Sequence, residues 1–280
     1  LLSGSDDALI YETMEELGEQ ENFDILYSKS GGWNQVGLGI SALLAAVLSY
    51  FYPLQLLAWI SVLPIMGELV IACMYVEPKR SREKHEYTSY RHFIKAFHDL
   101  WCNKKLRFYA FIEIIDRSVG MSSHRFESVY YQTLVATWLI NIVRVVKQVA
   151  GTISFFIVPK IKKFGSIKIY FCSMTGSVII RLLGVILNTG ISPFMMALVN
   201  LFYGTSTTAG SDIMQHEFTP HQRATMKSII SFCSSIVMAG VMFLFGFLAD
   251  ITSPRMAIFS GIILKLLLVV ASLYVLKKKT

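Results

Sequence analysis

The sequence predicts an all-α membrane protein whose chain crosses the bilayer eight times. Three observations predict this class: few charged residues, eight long apolar stretches, and an uneven distribution of Lys and Arg between the connecting loops. Only 16% of the 280 residues are charged and 54% are hydrophobic, with a mean hydropathy of +0.52. A soluble domain carries about 25% charged residues, so we expect much of this surface to face lipid or other apolar helices.

Each apolar stretch is long enough to span hydrocarbon, which takes roughly 20 residues in helical form. The expected bounds are 31–50, 54–76, 106–131, 138–158, 167–187, 193–213, 226–248 and 256–276. Lipid offers no hydrogen-bond partner to the backbone, so spanning segments must be helices or a closed barrel. The stretches do not alternate between apolar and polar residues, which favours helices.

The loop charges predict the orientation of the spans. Of the 26 Lys and Arg residues, 19 lie at span ends that share a side with both termini, and six lie within spans. The turns on the opposite side hold only Arg255. Because cytoplasmic loops carry the excess of Lys and Arg, both termini are predicted to be cytoplasmic. The net charge of +7 is thus explained without a nucleic-acid partner.

The chain divides into three predicted regions. Residues 1–76 hold an acidic helix-loop followed by two spans, 77–105 form a basic amphipathic linker, and 106–280 form a six-helix bundle. The linker pattern is typical of a helix that lies in the membrane interface with its basic groups near headgroups. Two interpretations of the acidic segment stay open: a solvated surface, or a partner of the basic linker.

Other kinds of chemistry find little support in the sequence. The four Cys residues lack the paired spacing of a disulfide framework or a zinc site. His216 and His221 are five residues apart with Pro220 between them, whereas a zinc-protease helix needs two His four apart. The glycine loop and lysine of ATP-binding proteins are missing. We therefore expect a protein that is not an enzyme and that uses neither metal, cofactor nor ATP.

Several short motifs resemble one transporter family. The segment Ser3–Glu12 (SGSDDALIYE) is similar to the Ser-Gly-x-Asp-x-Ala-Leu-x-Tyr-Asp stretch that closes helix four in bacterial, drug-efflux-like members of the major facilitator superfamily. Its Gly4-Ser5-Asp6 triplet recurs as Gly210-Ser211-Asp212, as expected for the parallel six-span repeats of these transporters. Pro159–Gly165 resembles the second copy of the family's basic loop motif, without its usual acid.

This resemblance covers nearly the whole chain and implies its function. The chain would hold the end of helix four and helices five to twelve of a longer protein, which fits a start at Leu1 without a signal peptide. The implied function is secondary active transport of a small molecule across the bacterial plasma membrane, by proton-coupled efflux. The alternative is a transport-inactive fragment or a structural membrane protein.

Charged and polar residues inside the spans are the candidates for substrate binding or coupling, because charges in a membrane are costly. Glu113 and Arg117 are four apart on one predicted helix and can pair, and the Gly120–Ser123 segment is expected to break that helix. Asp116 is predicted to carry the proton, with Arg117 as its neighbouring cation. Buried structural ion pairs would use the same residues. The full candidate set is Glu113, Asp116, Arg117, Arg144, Lys147, Gln148, Asn200 and Tyr203.

Further predictions concern the edges of the membrane and the packing of the spans. Asp6, Asp212 and Arg223 are candidates for cytoplasmic salt bridges that change with conformation. Glu68 and Arg181 are expected to be peripheral structural charges, and Arg125 with Glu127 to form either an outer gate or a surface pair. Small residues recur every four positions on two spans, which predicts close helix packing. These residues are Gly37, Ser41, Ala45 and Ser49, and Ser231, Ser235 and Ala239.

The predicted orientation is testable by labelling intact cells with a membrane-impermeant maleimide. In a background whose four native cysteines are replaced, Thr189→Cys in an outer turn should be labelled. Ser89→Cys in the basic linker should be labelled only after the membrane is opened. Labelling of Ser89→Cys from outside would contradict the orientation that the loop charges predict.

Overall fold

The protein is helical throughout the described part of the chain. The computed structural model describes residues 2–74, 97–98, 100–217 and 223–277, and none of these residues lies in a β-strand. The α-helices are α1 Leu2–Glu16, α2 Phe23–Phe51, α3 Leu54–Ile60, α4 Val62–Cys73, α5 Lys104–Gln132, α6 Thr137–Ile161, α7 Ser166–Leu187, α8 Ser192–Ala197, α9 Tyr203–Glu217, α10 Arg223–Ile251 and α11 Pro254–Lys277. Short 3₁₀ helices cover Gln20–Asn22, Lys162–Phe164 and Leu198–Phe202. The predicted all-α class is confirmed.

Three helical segments are long and apolar enough to cross a membrane. They are Trp138–Phe164, Ser166–Leu187 and Thr225–Ile251, which coincide with the predicted fourth, fifth and seventh spans. These segments make the chain a membrane-associated helical protein. The other five spans stay predictions, although α2 and α5 each reach 29 residues. Most of the predicted linker at 77–105 lies outside the described residues.

The predicted second span is divided into two helices. The helix α3 ends at Ile60 and α4 begins at Val62, with Ser61 between them. Pro64 lies in the first turn of α4; it lacks an N–H donor, and its ring crowds the carbonyl group of Ile60, four residues earlier. This explains why one continuous helix does not form from Leu54. The described side chains of α4 are all exposed.

The predicted sixth span is divided as well. It consists of α8, the 3₁₀ helix Leu198–Phe202 and α9. A stretch of 3₁₀ geometry inside a helix often marks a hinge. Directly after it, Gly204 lies so close to α6 that an added Cβ would be 2.6 Å from the backbone nitrogen of Phe155. Only glycine permits this approach of the two backbones.

The helix break predicted at Gly120–Ser123 is wrong. The helix α5 runs without interruption from Lys104 to Gln132. Gly120 has a different role, because an added Cβ would stand 3.1 Å from the Lys265 Nζ atom. The missing side chain of Gly120 leaves room for the Lys265 ammonium group beside α5.

The helices from α5 onward surround one large apolar core. The helix α5 packs on α10 and α11, α6 packs on α9 and the 3₁₀ helix, and α7 packs on α9 and α11. The fully buried side chains at the centre include Tyr130, Val143, Met174, Met196 and Ile258. These five come from five helices, so their packing fixes the bundle that holds the charged residues described below.

The helix α2 docks onto α6 through glycines that the sequence pattern does not single out. Gly31 and Gly32 lie against the rings of Phe155 and Phe156, and Gly151 of α6 lies against Gln35. Small residues allow this close approach. The face predicted from the four-residue repeat is different: a Cβ on Gly37 would meet no described atom within 4 Å.

Three other members of the predicted small-residue faces are exposed rather than buried against a neighbouring helix. Ser41, Ser235 and Ala239 are exposed, Ser231 is half-buried, and the side chains of Ala45 and Ser49 lie outside the described part of the structure. Repeat spacing identifies a helix face but does not say which face meets a neighbour.

Hydrogen bonds group the helix ends into two sets. At one end, Lys162 lies 2.7 Å from Asp24 and Ser166 donates to Asp212 at 2.5 Å. At the other, Tyr130 donates to Asn188 at 2.9 Å, and Arg255 donates to the carbonyl groups of residues 185 and 186. The sidedness that the loop charges predict for these helix ends stays a prediction.

The contact at Gly204 gives a test of the packing between α9 and α6. Gly204→Ala should lower the free energy of unfolding by about 1–3 kcal/mol, because the added carbon meets backbone that cannot rotate away. Gly37→Ala is the matched control in open space and should raise helix stability by up to about 1 kcal/mol. Thermal unfolding of the detergent-purified protein measures both, and equal behaviour of the two variants would refute the contact.

Candidate functional site

A buried carboxylate joins three helices. Glu127, near the end of α5, lies with Oε2 2.5 Å from the Nζ atom of Lys147 in α6 and with Oε1 3.0 Å from the Nη2 atom of Arg181 in α7. The side chain of Glu127 is 3% exposed and those of its two partners are each 9% exposed. Breaking a pair of this kind is strongly unfavourable because it leaves a charge buried without compensation.

His124 connects this group to the protein surface. Its Nδ1 atom lies 2.7 Å from Lys147 Nζ and 3.5 Å from Glu127 Oε2, and its ring is about half exposed. An ammonium group only donates hydrogen bonds. In this geometry Lys147 therefore donates to the Nδ1 atom of His124. The four residues form a continuous polar path from the surface into the bundle.

A second ion pair lies deeper along the same helix. Asp116 is near the middle of α5, and its Oδ1 atom is 2.6 Å from the Nζ atom of Lys265 in α11. Both side chains are largely buried, at 19% and 11% exposure. Asp116 and Glu127 are eleven residues apart, about three helical turns, so they share one face of α5. Two carboxylates on one helix are thus each held by a cation from another helix.

Glu113 does not form the predicted pair with Arg117 among the described residues. It accepts a hydrogen bond from the hydroxyl group of buried Tyr170 at 3.4 Å. Arg117 is half-buried and acts on Glu113 only as a nearby charge. The cation paired with Asp116 is Lys265 rather than the predicted neighbour Arg117.

A small cavity separates the two ion pairs. Its volume is about 30 Å³, and Arg181 and Lys265 both line it. The other lining residues are Ser177, Val178, Val199, Gly261 and Ile262. One water molecule needs about 10–15 Å³ of such a cavity, so the cavity accepts one or two small species.

The other predicted span residues are dispersed. Arg144 is exposed, and Gln148 is half-buried with its Cβ 3.6 Å from the position a Cβ would take on Gly39. Lys147 points away from both, into the bundle. Asn200 lies half-buried in the 3₁₀ helix, and Tyr203 is 44% exposed, its ring edge-on to Phe155 at 5.8 Å. The structure therefore does not unite the eight candidates in one cluster.

Of the predicted cytoplasmic gate, only Asp212 is described in full, and it accepts a hydrogen bond from Ser166. The side chains of Asp6 and Arg223 lie outside the described part of the structure. At this end, a contact between distant parts of the sequence joins the carboxylate of Asp24 to Lys162, 2.7 Å away. Lys162 also donates to the backbone carbonyl group of Glu21.

Sequence reasoning assigned Glu127, Arg181 and Lys265 too little importance. It grouped Glu127 with Arg125, which is exposed, and Arg181 with Glu68, which is exposed as well. Helical spacing alone could have predicted that Glu127 shares a helix face with Asp116. Positions i, i+7 and i+11 share a helix face, so Asp116, Ser123 and Glu127 belong together, whereas Arg125 faces elsewhere. Helix periodicity does not predict which residues of other helices, here Arg181 and Lys265, pair with this face.

A scan against models of known protein families finds no match, and neither a search of curated proteins nor one of solved structures finds a similar protein. Within the described residues, no group of three or more His, Cys, Asp or Glu side chains is placed to hold a metal ion. The geometry of the ion network is therefore the basis for inferring what the protein does.

The net charge of the Glu127 group predicts unequal effects of two substitutions. Glu127→Gln leaves two cations buried together and should destabilise the protein by about 3–5 kcal/mol. Lys147→Met leaves a balanced pair of Glu127 with Arg181 and should cost clearly less. Thermal unfolding in detergent measures both, with His124→Ala at the exposed end as a control of small effect. A larger loss for Lys147→Met than for Glu127→Gln would contradict this account.

Proposed function

We propose that this chain belongs to a secondary active transporter of the major facilitator type, in which buried carboxylates of α5 couple proton movement to small-molecule export. The observation that carries the proposal is the pair of carboxylates Asp116 and Glu127 on one helix face, each held by a cation from a different helix. Ionisable residues placed this way in membrane helices commonly mark proton relays and substrate pathways.

The Asp116–Lys265 contact supplies a physical means of coupling. When Asp116 is charged, it attracts the Lys265 ammonium group and draws α11 to α5. When Asp116 binds a proton, this attraction is lost and the contact between the two helices weakens. Any ligand whose site depends on the spacing of α5 and α11 is then linked to proton occupancy, and the linkage acts equally in both directions.

The division of the predicted sixth span supports the same proposal. Secondary transporters place substrate and ion sites beside discontinuous helices. Here the 3₁₀ helix Leu198–Phe202 interrupts the span, and Val199 within it lines the cavity between the ion pairs. Asn200 and Tyr203 offer polar groups at the same level. A hinge at this position would allow the two halves of the span to move separately.

The position of residues 2–51 also fits the proposed architecture. In major facilitator transporters, helices five and eleven lie at the interface between the two halves. The helix α2, aligned with helix five, packs along α6 and α9, and α10, aligned with helix eleven, packs against α1. Both proposed interface helices thus contact the opposite segment of the chain. In this proposal the protein is a multi-pass protein of the bacterial plasma membrane with cytoplasmic termini.

One observation favours the alternative, a membrane protein that does not transport. The cavity of about 30 Å³ is far smaller than the roughly 300–1,000 Å³ of a small-molecule site. Transport consequently requires a second conformation in which helices around the cavity separate. A structural membrane protein needs no such conformation, and its ion pairs would remain closed.

Transport is tested with the complete protein in proteoliposomes under an imposed pH gradient, with ethidium as a cationic probe within a panel of anionic and neutral compounds. At least one compound should show uptake that an uncoupler abolishes. Asp116→Asn should reduce that flux tenfold or more, because the carboxamide can neither bind the proton nor hold Lys265. Glu68→Gln, an exposed carboxylate in α4, is the control and should retain the flux.

Two results would count against the proposal. Full gradient-driven flux in Asp116→Asn would remove this residue from coupling. Absence of uncoupler-sensitive flux for every compound of the panel, in a folded preparation, would favour the structural alternative.

A further inference from the structure

We propose that the cavity between Arg181 and Lys265 is a binding site for one monatomic, monovalent anion, of which chloride is the expected occupant. The cavity is lined by these two cationic side chains and otherwise mainly by apolar groups of α7, the 3₁₀ helix and α11. The inference concerns binding only, so it holds or fails independently of whether the protein transports.

The first argument is the charge of the buried cluster. Lys147, Arg181 and Lys265 contribute three positive charges, while Asp116 and Glu127 contribute two negative charges. One positive charge is therefore left over. The nearby Glu113 and Arg117 are one acidic and one basic residue. An uncompensated charge in an apolar interior is strongly unfavourable, and one bound anion would make the cluster neutral.

The second argument is the location of the surplus positive charge. Arg181 and Lys265 line the same small cavity although they carry charges of the same sign. Their carboxylate partners Glu127 and Asp116 belong to α5, which contributes no lining residue. Without an anion between them, the two cations would repel one another across a medium of low dielectric constant. A negative ion in the cavity converts this repulsion into two attractions.

The third argument is the supply of hydrogen-bond donors. Arg181 uses Nη2 for Glu127, while its buried Nε atom has no partner among the described residues. The whole residue is 8% exposed. Within the described residues Lys265 forms one ion pair, with Asp116, and an ammonium group carries three donors. The Ser177 hydroxyl group already donates to the carbonyl group of Met174. Arg181 therefore brings to the cavity a buried charged donor, Nε, without an acceptor among the described residues.

The size and lining of the cavity select the type of anion. A volume of about 30 Å³ admits one or two water-sized bodies, which suits a chloride or bromide ion and is too small for sulfate or an organic carboxylate. Val178, Val199 and Ile262 provide apolar walls. Such walls cannot replace the hydration shell of a strongly hydrated ion, so chloride and bromide should bind better than fluoride.

The test is thermal unfolding of the full chain in detergent while sodium chloride replaces sodium gluconate at constant ionic strength. A ligand that binds only the folded state stabilises it in proportion to ln(1 + [L]/Kd). Once chloride exceeds its Kd, each tenfold increase should lower the unfolding equilibrium constant about tenfold. Bromide should act like chloride, and sulfate should not. Identical unfolding in chloride and gluconate would overturn the proposal, and would mean that water fills the cavity or that one lysine is neutral.

Two matched arginine substitutions locate the effect. Arg181→Met removes a cation from the cavity and leaves the balanced pair of Glu127 with Lys147, so the chloride dependence should disappear. Arg144→Met removes the same charge from an exposed position on α6 and should retain it. Chloride dependence that persists in Arg181→Met, or that Arg144→Met abolishes, would place the anion elsewhere.

A third variant tests the proposal in case Arg181→Met does not fold. Ser177→Val adds volume at the cavity wall without changing any charge, and it should abolish the chloride dependence while the protein remains folded. Retention of the full chloride effect in Ser177→Val would refute binding in this cavity.

Discussion

The pairing of Glu127 with Lys147 and Arg181 is the constraint on which the rest of this bundle depends. One carboxylate with 3% exposure pairs with cations from two other helices, so α5, α6 and α7 must keep their rotation and depth relative to one another. Apolar packing alone tolerates small sliding, because many hydrophobic arrangements have similar energies. A buried ion pair does not tolerate such sliding, because a charge that loses its partner costs about 3–5 kcal/mol. The ion pairs therefore fix the register in which the apolar core packs.

The same physics makes the site responsive to ions. The Asp116–Lys265 pair and the Glu127 group lie on either side of a small cavity, and the cations outnumber the carboxylates. A proton added to Asp116 or an anion added to the cavity changes the charge balance in opposite directions. Both would alter the forces between α5 and α11. A network of this type can thus connect ion binding to helix packing, which is the physical basis of the function proposed above.

Close backbone contacts provide the complementary constraint. Gly31 and Gly32 of α2 and Gly204 of α9 bring these helices onto α6 around the rings of Phe155 and Phe156, and Gly151 of α6 lies against Gln35 of α2. The 3₁₀ helix Leu198–Phe202 lies next to this junction. Rigid contacts beside an irregular segment confine bending to that segment, so a change of conformation in α8 and α9 would pivot there.

The sequence by itself determined the helical class, the approximate ends of most helices, and the need for charged residues inside apolar segments, because these follow from local composition and spacing. It also predicted which helix ends share a side of the membrane, which stays a prediction. Only the tertiary structure decided that Lys265 joins Asp116, that Arg181 joins Glu127, and that Gly39 rather than Gly37 faces α6. Helix periodicity fixes which residues share a face, but the rotation of each helix against its neighbours depends on contacts between residues far apart in the chain.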